Sequence, residues 1–131
     1  MTNPVFLALS QAGADLARGL MAELEGAELH GLEGRVEGAD LTFPSAAGHL
    51  AELFTHGHPI IAFASAGILV RVLGPLVSDK HEEPPVICIA EDGSAVVPLL
   101  GGHRGANRLA RQLGEKLGCA PAITTAGETR F

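Results

Sequence analysis

Tryptophan and tyrosine are absent from this 131-residue chain, its aromatic content is five phenylalanines, and cysteine and methionine occur only twice each. A protein that grips nucleic acid needs cationic surface and rings to stack on bases, and a chain of formal net charge −6 without indole or phenol offers neither. Nucleic acid is therefore excluded as a partner. Bases are scarcest in the first half, where residues 1–64 hold eight acids and two bases, while residues 65–131 hold seven of each. An anionic small ligand is expected in the second half, where Arg71, Lys80, Arg104, Arg108 and Arg111 lie. No uncharged apolar run approaches the roughly eighteen residues needed to span a bilayer. Met1-Thr2-Asn3-Pro4 carries no basic segment like that opening a signal peptide. The expectation is a cytoplasmic protein with no membrane partner. Cys88 and Cys119 show no metal-ligand spacing, and reducing conditions disfavour their pairing.

What is present is a globular composition, 47% hydrophobic and 18% charged, in a chain long enough for one domain. Short apolar runs alternate with stretches of helical period. Strands are expected over 5–9, 27–31, 59–64, 85–90, 95–100 and 122–125, and helices over 10–24, 45–55, 68–73 and 104–117. Ser45 is placed to cap the second helix, and Leu50, Leu53 and Phe54 form its buried side. Residues 31–40, acidic and dotted with glycine, read as a surface loop, with His30 as ordinary surface chemistry beside it. Glu91-Asp92-Gly93-Ser94 turns a hairpin. The pattern predicts the α/β class: a single-domain layered sandwich with a mainly parallel sheet, one β-hairpin and helices on both faces. The domain is expected to fill residues 1–126, with 127–131 the start of a linker or tail.

Chemistry concentrates in Pro98-Leu99-Leu100-Gly101-Gly102-His103-Arg104-Gly105-Ala106-Asn107, where an apolar run stops at paired glycines and restarts as a charged helix. Glycines let backbone approach a ligand, and the first turn of the following helix leaves N–H groups without internal partners. Such a helix start favours an anion, and His103 and Arg104 add a proton-transfer group and a two-pronged cation. Ligands of open parallel sheets bind beyond the carboxyl ends of the strands. Residues 65–67, 101–107 and 124–125 are expected to meet there in one cleft. His49, His56 and His58 straddle a helix and its glycine-proline exit rather than sharing one face, so no protein-held metal is expected.

Four segments in order, Gly67-Ile68-Leu69-Val70-Arg71, Pro75-Leu76-Val77-Ser78-Asp79-Lys80, 99–107 and Thr124-Thr125-Ala126, resemble the motifs of the N-terminal domain of the CbiG family of cobalamin-biosynthesis proteins. The resemblance covers about residues 60–126 closely and the first half only in layout. It implies corrin ring construction, as part of a cobalt-precorrin-5A hydrolase that opens a lactone and releases acetaldehyde. The implied substrate is a precorrin, a tetrapyrrole that brings its own cobalt, so no separate cofactor is expected. Family proteins usually continue into further domains, and further domains of the same polypeptide or other corrin-pathway enzymes are the implied partners. Many members have a serine before the Gly-His pair and another glycine before Ala-Asn, whereas this chain reads Gly101-Gly102-His103-Arg104-Gly105-Ala106-Asn107.

A precorrin carries many carboxylates around a flat apolar ring, so its receptor needs N–H and guanidinium donors bordering an apolar floor. The candidate binding residues are Ser65, Gly67, Arg71, Lys80, Gly101, Gly102, Arg104, Asn107, Thr124 and Thr125. His103 is the candidate catalytic base, since imidazole is the side chain suited to proton transfer near neutral pH. Two other readings stand beside this one. The domain is a non-catalytic corrinoid-binding or docking module fused to precorrin-3B methyltransferase, or it binds a nucleotide. The last is discounted, because the chain lacks a phosphate loop ending in lysine-threonine and a Gly-x-Gly-x-x-Gly after its first strand.

Overall fold

Val5–Ala8 (β1) and Ile60–Phe63 (β4) are short apolar runs buried along their whole length. A strand hidden on both sides belongs inside a sheet covered by helices on each face. The computed structural model, which describes residues 2–78 and 82–126, has that arrangement. With β2 (Glu28–Leu32), β3 (Leu41–Phe43), β5 (Val86–Ile89) and β6 (Val96–Leu100), the strands form one sheet in the order β3-β2-β1-β4-β5-β6. All neighbours run parallel except β5 and β6, the hairpin expected from the sequence. The α/β class, the mainly parallel sheet and the helices on both faces are as the residue pattern predicts.

Alternation along the strands divides the core in two. On one face Phe6, Ile61, Phe63, Ile87 and Ile89 meet Ala14, Ala17 and Leu20 of α1 (Gln11–Leu20) and Ala106, Ala110 and Leu113 of α4 (Ala106–Leu117). On the other, Val5, Leu7, Ile60 and Val86 meet Leu50, Leu53 and Phe54 of α2 (Ala46–Thr55) and Leu69 and Leu73 of α3 (Ala66–Leu73). Three helices start on serine caps. Ser10, Ser45 and Ser65 accept from the N–H groups of Gly13, Gly48 and Ile68, which satisfies donors the helix itself cannot. Among the described residues no helix is long and apolar enough to cross a membrane.

The structure departs from the residue pattern in four places. The first helix ends at Leu20 and continues only as a 3-10 turn over Met21–Glu23. The acidic stretch leads into β3, a three-residue edge strand whose Phe43 is buried. Residues 122–125 form no strand. They follow β6 with one backbone bond to it, from the Ala122 N–H to the Val96 carbonyl. His30 is 5% exposed, because β2 is covered on both faces, so its assignment to the surface is corrected. Residues 127–131 lie outside the described residues.

Candidate functional site

The hairpin decides where the glycine loop lies. Because β6 returns antiparallel, Val96 stands opposite Ile89 and Leu100 opposite Val86. The loop after Leu100 therefore leaves from the edge at which β4 and β5 begin. Ser65 follows Phe63, which pairs with Ile89, at the edge where those strands end. About four strand residues separate the two levels, roughly 13 Å at about 3.3 Å each. The expectation of one cleft holding residues 65–67, 101–107 and 124–125 is thus corrected. The loop and residues 124–125 come together, and residues 65–67 lie at the opposite edge.

At the loop, Gly101 has φ 71° and Gly105 φ 114°, left-handed values between which residues Gly102–Arg104 make a 3-10 turn. The Gly101 carbonyl accepts from Arg104 N at 2.9 Å and Ala106 N at 3.1 Å, which closes the loop on itself. Its N–H donates to Glu83 Oε1 at 3.3 Å, so an internal carboxylate already occupies one donor of the supposed anion hole. The first helical bond of α4 runs from Leu109 N to Gly105 O. The N–H groups of Asn107 and Arg108 precede it, as in any helix start. His103 and Arg104 are exposed, and among the described residues no hydrogen bond or ion pair holds their side chains. They are available to a ligand.

Asn107 is 3% exposed, and its Nδ2 donates to Thr125 Oγ1 at 2.9 Å. It therefore fastens residue 125 to the first turn of α4, and Gly102 fits between them. A Cβ on Gly102 would lie 3.2 Å from Asn107 Oδ1 and 3.3 Å from Thr125 Cγ2. Asn107→Ala is expected to lower stability by about 1–2 kcal/mol, for one hydrogen bond plus a small void. Urea unfolding with the Thr125→Val partner in a double-mutant cycle checks it. Independent effects of the two changes would show that the contact is not formed.

Beside the loop, on the α3 face, lies an apolar hollow of about 150 Å3 lined by Leu69, Val70, Leu73, Val77, Leu99 and Leu100. Adjacent residues line it together because the register skips Leu99, pairing Ile87 with Pro98 and Val86 with Leu100. That bulge re-aims a side chain. The hollow joins the loop through consecutive residues, Leu100 and Gly101. Thr124 is exposed beside Thr125.

The remaining candidates sit apart. Ser65 Oγ is engaged as the α3 cap at 3.4 Å from Ile68 N. Arg71 is exposed in the last turn of α3 and leans back along it, its Nη1 lying 3.6 Å from where a Gly67 Cβ would be. Lys80 lies outside the described residues. Among the described residues no three His, Cys, Asp or Glu side chains are placed to hold a metal ion. The pattern missed a contact at the β2–β3 end of the strand order, on the face that α2 and α3 share, where His30 Nδ1 stands 2.8 Å from His49 Nε2. Both residues are visible in the sequence, but only the burial of β2 brings them together.

Comparison with known proteins bears on the same residues. Residues 48–128 match the family described as Cobalamin synthesis G N-terminal. A cobalt-precorrin-5A hydrolase of Salmonella typhimurium is 49% identical over 76 residues, 57% of this chain and 22% of that protein. One from Priestia megaterium is 37% identical over 82 residues, 62% of this chain and 22% of its own length. The chain thus spans about a fifth of the length of the curated relatives it matches. The crystal structure of a cobalamin biosynthesis protein G homolog from Sulfolobus solfataricus superposes with a TM-score of 0.66 at 24% identity, over 94% of this chain and 36% of that one. At that identity the likeness speaks for the fold.

Proposed function

Since the chain belongs to the Cobalamin synthesis G N-terminal family, we propose that it serves corrin biosynthesis as the N-terminal domain of a cobalt-precorrin-5A hydrolase, binding a precorrin at the 101–107 loop. The observation that carries this reading is the 49% identity to the Salmonella hydrolase. The chemistry of the loop and of the hollow beside it supports the reading. The apolar hollow between α3 and β6 offers a floor to one part of a macrocycle, and the adjoining loop offers Arg104 and His103 to its carboxylate rim. The hollow is small beside a tetrapyrrole, so the ring would lie across it rather than inside. The domain is assigned residues 1–126.

In this reading His103 takes a proton from water as the oxygen adds to the lactone carbonyl. The N–H groups of Asn107 and Arg108 face the developing oxyanion, and the imidazolium returns its proton to the departing ring oxygen. Cobalt arrives within the substrate. The correction of the cleft removes Ser65 and Gly67 from this receptor, and Arg71, drawn toward Gly67, goes with them.

Absorbance titration with a carboxylate-rich corrinoid tests the binding site. Arg104→Ala is expected to weaken binding about tenfold to a hundredfold, since a charge-assisted donor contributes roughly 1.5–3 kcal/mol. Arg35→Ala is the control, because Arg35 is exposed in the loop between β2 and β3. Equal losses in both variants would remove the loop from the site.

A further inference from the structure

The contact between His30 and His49 adds a polar link where α2 packs on the β2–β3 side of the sheet. His30 belongs to β2 and is buried, whereas His49 lies in the first half of α2 and stacks on Phe43 of β3 at 4.6 Å and 5°. His30 Nε2 stands 2.9 Å from Glu28 Oε1, and its Nδ1 stands 2.8 Å from His49 Nε2. A carboxylate acceptor puts the His30 hydrogen on Nε2, so His30 Nδ1 accepts from His49 Nε2–H. We propose that this Glu28–His30–His49 chain is a one-proton latch that holds α2 on the β2–β3 edge of the sheet and releases it on acidification.

Space for one hydrogen is what makes it a latch. Two imidazole nitrogens 2.8 Å apart hold one proton between them, whether the pair is neutral or carries a single charge. When both rings are protonated, two N–H groups point at each other across that distance, and two like charges share a half-buried contact. His49 is the ring that can leave, since it is on a helix surface and His30 is enclosed by β2.

The surroundings set the direction. Around the pair stand Glu28 on β2, Glu52 on α2, His56 at the end of α2, and His58 ahead of β4, with Asp40 bonded to the Leu29 N–H before β3. Burial, then the charge of His30, pushes His49 below the ordinary histidine value, against the opposing pull of Glu52. Hydrogen bonds from His30 and then Asn3 hold Glu28 below the usual carboxylate range. For both groups the unfolded chain binds protons more readily than the folded one. The stabilisation is therefore complete above about pH 6.5 for His49 and is lost as pH falls through its lowered value, with Glu28 following below the ordinary carboxylate value of 4.5.

Release of α2 also widens access to a hollow of about 430 Å3 that His30, His49, His56 and His58 line with Glu52 and Leu53. Hydrogen exchange across α2 at pH 7.5 and pH 5, corrected for intrinsic rates, tests the latch. Protection over Leu50–Phe54 is expected to fall about tenfold or more while β4 and β5 hold. In His49→Gln, whose amide donates to His30 and takes no proton, protection should not change with pH. His58→Gln should behave as wild type. If His49→Gln does not fold, side-chain NMR of the wild type decides by following His49 protonation against α2 exchange. Protection of α2 that is flat with pH in the wild type, or that still falls in His49→Gln, or that moves independently of His49, would overturn the latch.

Discussion

Gly101→Ala is expected to destabilise the fold by about 2–5 kcal/mol, a large share of the roughly 5–15 kcal/mol that holds an ordinary domain together. Two independent effects add at this position. Gly101 has φ 71°, where a side chain costs roughly 1–2 kcal/mol. A Cβ there would also stand 2.9 Å from Pro85 Cα and 3.1 Å from Pro84 O. These are backbone atoms in a proline pair and cannot rotate away, so overpacking adds about 1–3 kcal/mol. Gly34→Ala separates the effects, because Gly34 has φ 81° and a Cβ there meets nothing within 4 Å. It should lose only the conformational part, about 1–2 kcal/mol. Thermal unfolding should show Gly101→Ala melting on the order of 10 °C or more below wild type and Gly34→Ala a few degrees below. Equal shifts in the two would mean that the loop is not seated on Pro84–Pro85.

The same hairpin that seats Gly101 shows how far the residue pattern carried. Apolar runs such as Ile60–Phe63, helical periodicity and the Ser45 cap of α2 are local signals, and they placed most of the elements within a few residues. β3 was illegible because two of its three residues, Leu41 and Thr42, are exposed and its edge position demands no apolar run. Residues 122–125 have the composition of a strand but make one backbone bond to β6 where a ladder needs several. His30 was read from its polar neighbourhood, yet burial there is set by the covering of β2, which is a property of the sheet and not of the segment.

For the site, the expectation of one cleft failed on the direction of the hairpin. A returning strand must end beside the start of its partner, so the Glu91–Ser94 turn already implied that Gly101 and Ser65 leave from opposite edges. The rule placing ligands at the carboxyl ends of parallel strands was applied to β6 without reversing it. What the sequence could not disclose is the tie between Asn107 and Thr125, eighteen residues apart. The side-chain bond forms only because residues 122–125 run beside β6 in the same direction and arrive at the α4 start.

In the proposed reaction, His103→Asn is expected to lower lactone opening of cobalt-precorrin-5A by about 10²–10⁴-fold, the usual contribution of a positioned general base. His103 is exposed on the Gly102–Arg104 turn and makes no side-chain hydrogen bond or ion pair among the described residues, so its replacement leaves the Asn107–Thr125 bond and the Gly101–Pro85 approach in place. Folding should therefore be unchanged, and corrinoid affinity should stay within about threefold, less than 1 kcal/mol. Loss of turnover with binding retained is the signature of a group that acts in the transition state, whereas Arg104→Ala should lose binding itself. Stopped-flow absorbance during turnover, paired with equilibrium titration, reads both quantities on the same samples. Wild-type turnover in His103→Asn would remove the histidine from the chemistry and leave Arg104 as a binding residue. These measurements are made on the full-length protein, and if that protein binds the corrinoid yet opens no lactone, hydrolysis is not its role and the docking reading takes its place.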